Sequence, residues 1–134
     1  MSAFQPFKFL IVEDNVIFRS SFREMLSARF PGAGIEEAGD AEEALEKYEN
    51  TRPDLIFMDI KLPGKNGLEV TRTIKSGDAG AVIIILTSYD ILEYREAAFG
   101  CGASHFFIKG NTKSDDIAAV VRSELSAMGK ERRC

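Results

Sequence analysis

Short apolar runs and amphipathic stretches alternate from one end of the chain to the other. Residues 7–12 are apolar and β-prone, broken only by Lys8, and give way to Glu13, Asp14 and Asn15. Phe18, Phe22, Met25 and Leu26 then recur at helical spacing until Pro31 and Gly32 stop the helix. Gly34–Ala38 is a weaker strand candidate. Asp40 reads as a helix N-cap with Glu43 three residues on, opening a helix that buries Ala44, Leu45 and Tyr48 until Arg52 and Pro53 break it. Leu55–Met58 is a wholly apolar run that reads as a buried strand and delivers Asp59.

The second half keeps the rhythm. Residues 61–65, with a Pro63-Gly64 turn signal, lead to Asn66 and a helix carrying Leu68, Val70 and Ile74. A loop over 77–80 precedes a β-branched strand over 81–86, with Thr87 at its end. The spacing then predicts a helix from about 90 to 99 closing at Gly100, and a fifth strand over 104–108 ending on Lys109. Ser114 is expected to cap a last helix whose apolar stripe is Ile117, Val120, Val121, Leu125 and Met128. Five strands alternating with five helices require crossover connections. The expected fold is therefore α/β, a doubly wound parallel sheet covered on both faces. No repeat or linker divides the chain, so a single domain over 1–134 is expected, with its core at about 7–128.

Composition narrows the class. The chain has 134 residues, 45% hydrophobic and 28% charged, enough for one buried core. A net charge of −4 argues against a nucleic-acid surface, which normally carries a basic stripe, and suits a carboxylate site awaiting a cation. No apolar run approaches the ~18 residues of a membrane helix. The first six residues lack the charged-then-apolar order of a signal peptide. Cys101 and Cys134 make no disulfide framework, so a cytoplasmic protein with free thiols is expected. One histidine, His105, is too few for a zinc site.

Where the polar residues fall is more telling. Glu13 and Asp14 end the first strand, Asp59 the third, Thr87 the fourth and Lys109 the fifth. The strands of a parallel sheet end along one edge, where open α/β folds bind ligands, so these residues should converge. Three adjacent carboxylates repel one another unless a cation is shared, and oxygen ligands with several waters favour Mg²⁺ over Ca²⁺. Such a group is equipped for phosphoryl transfer. Asp59 is the nucleophile, the metal and Lys109 neutralise the phosphoryl oxygens, and Thr87 donates a hydrogen bond to one of them. Singly, each residue has a plainer reading: Asp14 as a helix cap, Asp59 as a loop residue, Phe106 as core, His105 as an edge residue, Cys101 as a small buried hydrophobe, and 130–133 as a solvated tail. Their joint placement at one edge favours a site.

The sequence resembles the receiver domains of two-component response regulators. The matching pieces are Ile11-Val12-Glu13-Asp14-Asn15, the run from Asp54 through Asp59 to Gly64, Leu86-Thr87-Ser88, and the run from Gly102 to Lys109. The likeness spans about residues 7 to 128. It implies a (βα)5 flavodoxin-like sheet of strand order 2-1-3-4-5, with Asp59 as phosphoacceptor. It further implies Asp14 as a direct Mg²⁺ ligand, Glu13 as a ligand through water, and the Lys61 backbone carbonyl as another. Thr87 and Phe106 become paired switch residues: Thr87 moves toward the phosphoryl group, and Phe106 turns inward to bias the fifth strand and last two helices. Lys61 and Tyr89 would flank the approach of hydrolytic water, which implies a long-lived phosphorylated state. The implied partners are a sensor histidine kinase or histidine phosphotransfer protein and an output protein or fused output domain. A phosphorylation-dependent dimer fits the same family. No enzyme activity is implied beyond the chain's own aspartyl phosphorylation and dephosphorylation.

Two departures stand out. The acidic pair is Glu13-Asp14 where many members have two aspartates, and Gly110 follows Lys109 where many carry a cis-proline. Lysine–glycine at that point is similar to receivers joined to helix-turn-helix domains. Rival readings fit less well. A haloacid-dehalogenase-type phosphatase needs a second aspartate where Lys61 stands. A flavin- or dinucleotide-binding module would place phosphate against Glu13 and Asp14, which repel it. A pseudo-receiver that only docks partners usually lacks the acceptor or the lysine, and both are present.

Overall fold

In the computed structural model, which describes residues 7–129, five strands alternate with five helices. They are β1 (Lys8–Val12), α1 (Val16–Arg29), β2 (Gly34–Ala38), α2 (Ala41–Thr51), β3 (Leu55–Met58), α3 (Gly67–Gly77), β4 (Val82–Thr87), α4 (Leu92–Gly100), β5 (His105–Ile108) and α5 (Ser114–Ala127). All neighbouring strands are parallel, in the order β2-β1-β3-β4-β5. This is the doubly wound, flavodoxin-like arrangement expected. The expected tail over 130–133 and Cys134 lie outside the described residues.

Strand alternation divides the core in two. Leu10, Val12, Ile56, Met58, Ile83, Ile85 and Phe106 face α2, α3 and α4. Phe9, Ile11, Leu55, Phe57, Ile84 and Leu86 face α1 and α5, where Phe22, Leu26, Ile117, Val121 and Leu125 close over them. Because both faces are covered, β1, β3 and β4 read as continuous apolar runs rather than alternating ones. Full burial of each such side chain stabilises the fold by about 1.5–3 kcal/mol.

Side-chain caps set most helix starts. Asn15 accepts from the Phe18 N–H at 2.9 Å, and Asp40 accepts from the Glu43 N–H at 2.8 Å. Asn66 and Glu69 make a reciprocal capping box. The expected cap of α5 is corrected: Lys113 occupies the N-cap position in extended backbone, makes no side-chain cap bond, and Ser114 is already helical. Asp115 and Asp116 in the first turn instead place negative charge at the positive end of the helix dipole. Helix α4 begins at Leu92, two residues later than expected, again without a side-chain cap. Leu45 is half-buried rather than buried, packing on the rim of the core.

Candidate functional site

The sheet hands its residues to the site through its own hydrogen bonds. The Glu13 N–H donates to the Ala38 carbonyl at 2.9 Å, the Asp59 N–H to Val12 at 3.0 Å, and the Lys109 N–H to Thr87 at 2.8 Å. Each of these residues therefore continues a strand ladder by one step past its end. Glu13 and Asp59 are only 3% and 6% exposed, whereas Asp14 faces solvent. Asn15, not Asp14, caps α1, so Asp14 is not committed to that role.

Glu13, Asp14 and Asp59 each offer a carboxylate oxygen within 4.8 Å of the others. The Lys109 ammonium makes an ion pair with Glu13 Oε1 and lies 3.3 Å from Asp59 Oδ2. Glu13 Oε2 accepts the Asn15 N–H at 3.0 Å. Asp59 Oδ1 accepts the Ile60 N–H at 2.8 Å. Burial pushes the Asp59 carboxyl upward and the Glu13 charge adds to it, while Lys109 and the Ile60 N–H pull the other way; the balance lies at about 6. Three carboxylates face one ammonium, so negative charge is left over once all are ionised. An all-oxygen, electronegative donor set of this kind fits a hard divalent cation. Among the described residues it is the one group of three or more such ligands.

Neighbouring groups stiffen the acidic loop. Arg19 donates from Nη1 to the Glu13 carbonyl at 2.7 Å, and its Nε pairs with Glu37 at 2.7 Å. The Phe18 ring lies 4.5 Å from Lys109 Nζ, so the lysine is held between a π-face and two carboxylates. Gly67 is the tightest contact: a Cβ there would stand 1.9 Å from the Asp59 carbonyl oxygen. Its N–H donates to the Ile60 carbonyl at 2.7 Å, so the start of α3 presses directly on the backbone of the Asp59 loop.

Thr87 is fully buried, and its hydroxyl accepts from the Tyr89 N–H at 3.3 Å. Phe106 already lies inside the α3–α4 half of the core, with the Arg95 guanidinium 4.7 Å from its ring centre. Lys61 Nζ lies 5.3 Å from the centre of the Tyr89 ring and 5.6 Å from that of Tyr94. Gly110 has φ +83°, a backbone setting that favours glycine, and none of the described peptide bonds is cis. His105 bridges β5 to α5 through Glu124 at 2.7 Å, as an edge residue would. Cys101 is buried as expected, with Arg72 donating to its sulfur at 3.3 Å.

Gly67, Phe18 and Tyr94 escaped sequence reasoning. Gly67 looks like an ordinary helix-start residue, Phe18 like core, and Tyr94 like one more helical side chain. Only their neighbours in space give them a part in the site.

The model of the response regulator receiver domain family matches residues 9–122. The chain belongs to that family. This receiver is 38% identical over 111 residues to the chemotaxis protein CheY of Halobacterium salinarum, covering 83% of this chain and 91% of that protein. It is 37% identical over 116 residues to the transcriptional regulatory protein PdtaR of Mycobacterium tuberculosis, covering 86% of this chain and 55% of that one. Among solved structures, a CheY-like receiver domain protein from Methanospirillum hungatei superposes with a TM-score of 0.85 at 29% identity, covering 96% of this receiver and all of that chain. The receiver thus spans most of the CheY relative but about half the length of PdtaR and of the mycobacterial MprA regulators. Receivers of this family are phosphorylated on an aspartate in a Mg²⁺-dependent reaction. No helix among the described residues is long and apolar enough to cross a membrane.

Proposed function

We propose that Asp59 is the phosphoacceptor of this receiver, and that Lys109, Thr87 and Phe106 carry the response away from it. The observation that carries the reading is a buried aspartate beside two further carboxylates and a lysine, all at the C-terminal edge of the sheet. Asp14 and Asp59 would hold Mg²⁺ directly, with the Lys61 carbonyl as a further ligand. Glu13, already engaged by Lys109 and the Asn15 N–H, would act through water. When bound, the ion supplies positive charge against the phosphoryl oxygens.

The rest falls to the chain. Burial holds the metal-free Asp59 carboxyl above the ordinary aspartate range, and a cation bound beside it would favour the ionised, nucleophilic form. One Asp59 oxygen attacks phosphorus as the bond to the donor breaks, and the donor group leaves with that electron pair. Lys109 shifts its ammonium toward the incoming phosphoryl oxygens, and the Thr87 hydroxyl donates to one of them. Phe106 is already buried, so phosphorylation would hold that position rather than create it, biasing α4, β5 and α5. The donor is a sensor histidine kinase or a histidine phosphotransfer protein in this reading. The output lies in a separate protein, a fused domain or a phosphorylation-dependent dimer.

Mass spectrometry after incubation with acetyl phosphate and Mg²⁺ tests the assignment. The native chain gains one phosphoryl mass; Asp59→Asn and EDTA each abolish it. Retention of the mass in Asp59→Asn overturns it. Asp14→Asn should weaken Mg²⁺ binding more than Glu13→Gln.

A further inference from the structure

The family resemblance implies that Lys61 and Tyr89 flank the phosphoryl approach. Tyr94 joins them. The Lys61 ammonium lies near both rings, 5.3 Å from the centre of Tyr89 and 5.6 Å from that of Tyr94, and the two rings meet edge to face at 6.0 Å. The three residues come from different segments: Lys61 from the loop after β3, Tyr89 from the loop after β4, and Tyr94 from the first turn of α4.

The three are not held equally. Lys61 is exposed and Tyr89 is 42% exposed, so neither is fixed by burial. Tyr94 is half-buried and packs against the core on the α3–α4 side of the sheet. It is the least exposed member of the trio. A lysine on a flexible stem keeps one position only if something offsets its rotamer entropy, and a half-buried ring beside it can do so.

We infer that Tyr94 is a positioning residue: by holding Lys61 beside Tyr89 it ties the lifetime of the phosphorylated aspartate to the placement of the first turn of α4. The inference rests on the shielding role that the family resemblance implies for Lys61 and Tyr89. Helix α4 is suited to such a link because Ala98 is its one buried residue and no side chain caps its start, so its first turn is weakly held. Displacement of that turn would carry Tyr94 off Lys61 and open the approach to water.

The test is the rate of phosphoryl loss from the purified chain, labelled with acetyl phosphate and then freed of donor, in a double-mutant cycle. Lys61→Ala should speed loss about two- to fivefold, the range one exposed cation–π contact can hold. Tyr94→Ala should speed it similarly in the native background and not at all in the Lys61→Ala background. Tyr94→Phe, which keeps the ring, should recover part of the effect. A second readout is independent of phosphorylation: ring currents should move the Lys61 Cε protons upfield, and Tyr94→Ala should remove much of that shift. If Lys61→Ala leaves the rate unchanged, the shielding reading fails, and this inference with it. If Lys61→Ala speeds loss but Tyr94→Ala does not, or Tyr94→Ala acts equally in both backgrounds, shielding stands and the positioning role of Tyr94 is overturned.

Discussion

Helices α3 and α4 cover the same face of the sheet, and both touch the site, yet they are built differently. Helix α3 opens with the Asn66–Glu69 capping box and buries Gly67, Val70, Thr71 and Ile74. The Thr71 hydroxyl donates to the Gly67 carbonyl at 2.8 Å. Helix α4 has Ile91 at its N-cap, buries Ala98 alone, and leaves Leu92 64% and Phe99 45% exposed. One helix reaches the site through Gly67, which presses on Asp59. The other reaches it through Tyr94, beside Lys61. On the proposed reading, the difference separates a side that holds the phosphoacceptor carboxylate still from a side left free to respond. Local stability follows buried apolar contact, so α4 belongs to the easily displaced part of the fold.

The sharpest way to break this contrast is to substitute a glycine in each helix. Gly67→Ala forces a Cβ into the Asp59 carbonyl, where backbone cannot yield cheaply, and should cost about 3 kcal/mol or more. Gly100→Ala meets nothing within 4 Å and should be neutral or stabilise by about 0.4–1 kcal/mol. Urea denaturation reads both. Equal tolerance at the two positions would mean that α3 is no more tightly seated than α4.

A smaller effect asks whether the fixed side is strained by charge. The folded state keeps the Asp59 proton until about pH 6, whereas the unfolded chain releases it near the ordinary value of 3.8. Metal-free stability contributed by this group therefore falls as pH rises from about 4 to 6 and stays low above that. Asp59→Asn removes the penalty. It should stabilise the metal-free protein by about 1–3 kcal/mol at pH 7 and by little below pH 4. Denaturation at the two pH values checks this, and an equal gain at both would show that the charge is not the source.

Helix starts give the smallest test. Asn66→Ala removes half of a capping box and should cost about 1 kcal/mol. Ile91→Asp supplies α4 with the cap it lacks and should gain about 0.5 kcal/mol, slowing amide exchange in its first turn. Native α4 amides should exchange faster than those of α3. The reverse order would place the mobile element elsewhere.

The fold was legible because burial on both sheet faces writes itself as apolar runs, and because Pro, Gly, Asp and Asn punctuate them. Residues 55–58 can be little else than a buried strand, and Asp40 with Glu43 little else than a helix start. Errors came where that signal is thin. Ser114 has the chemistry of a cap, but backbone geometry made Lys113 the N-cap, and α5 starts on the charge of Asp115 and Asp116 instead. The start of α4, expected at about 90, lies at Leu92, where no side chain marks it.

The site divides along the same line. Chain order alone determined that Glu13, Asp14, Asp59 and Lys109 would meet and that Thr87 would stand at the same edge, since parallel strands end on one edge and each residue sits at or just past a strand end. Which of them pair was not legible. That Lys109 binds Glu13 as well as Asp59, that Asp14 stays open to solvent, that Gly67 admits no side chain and that Tyr94 reaches Lys61 are distances across separate segments. Such distances depend on how helices seat against a twisted sheet. A pattern of apolar and polar positions specifies which face a residue takes, but only packed volume decides what it touches.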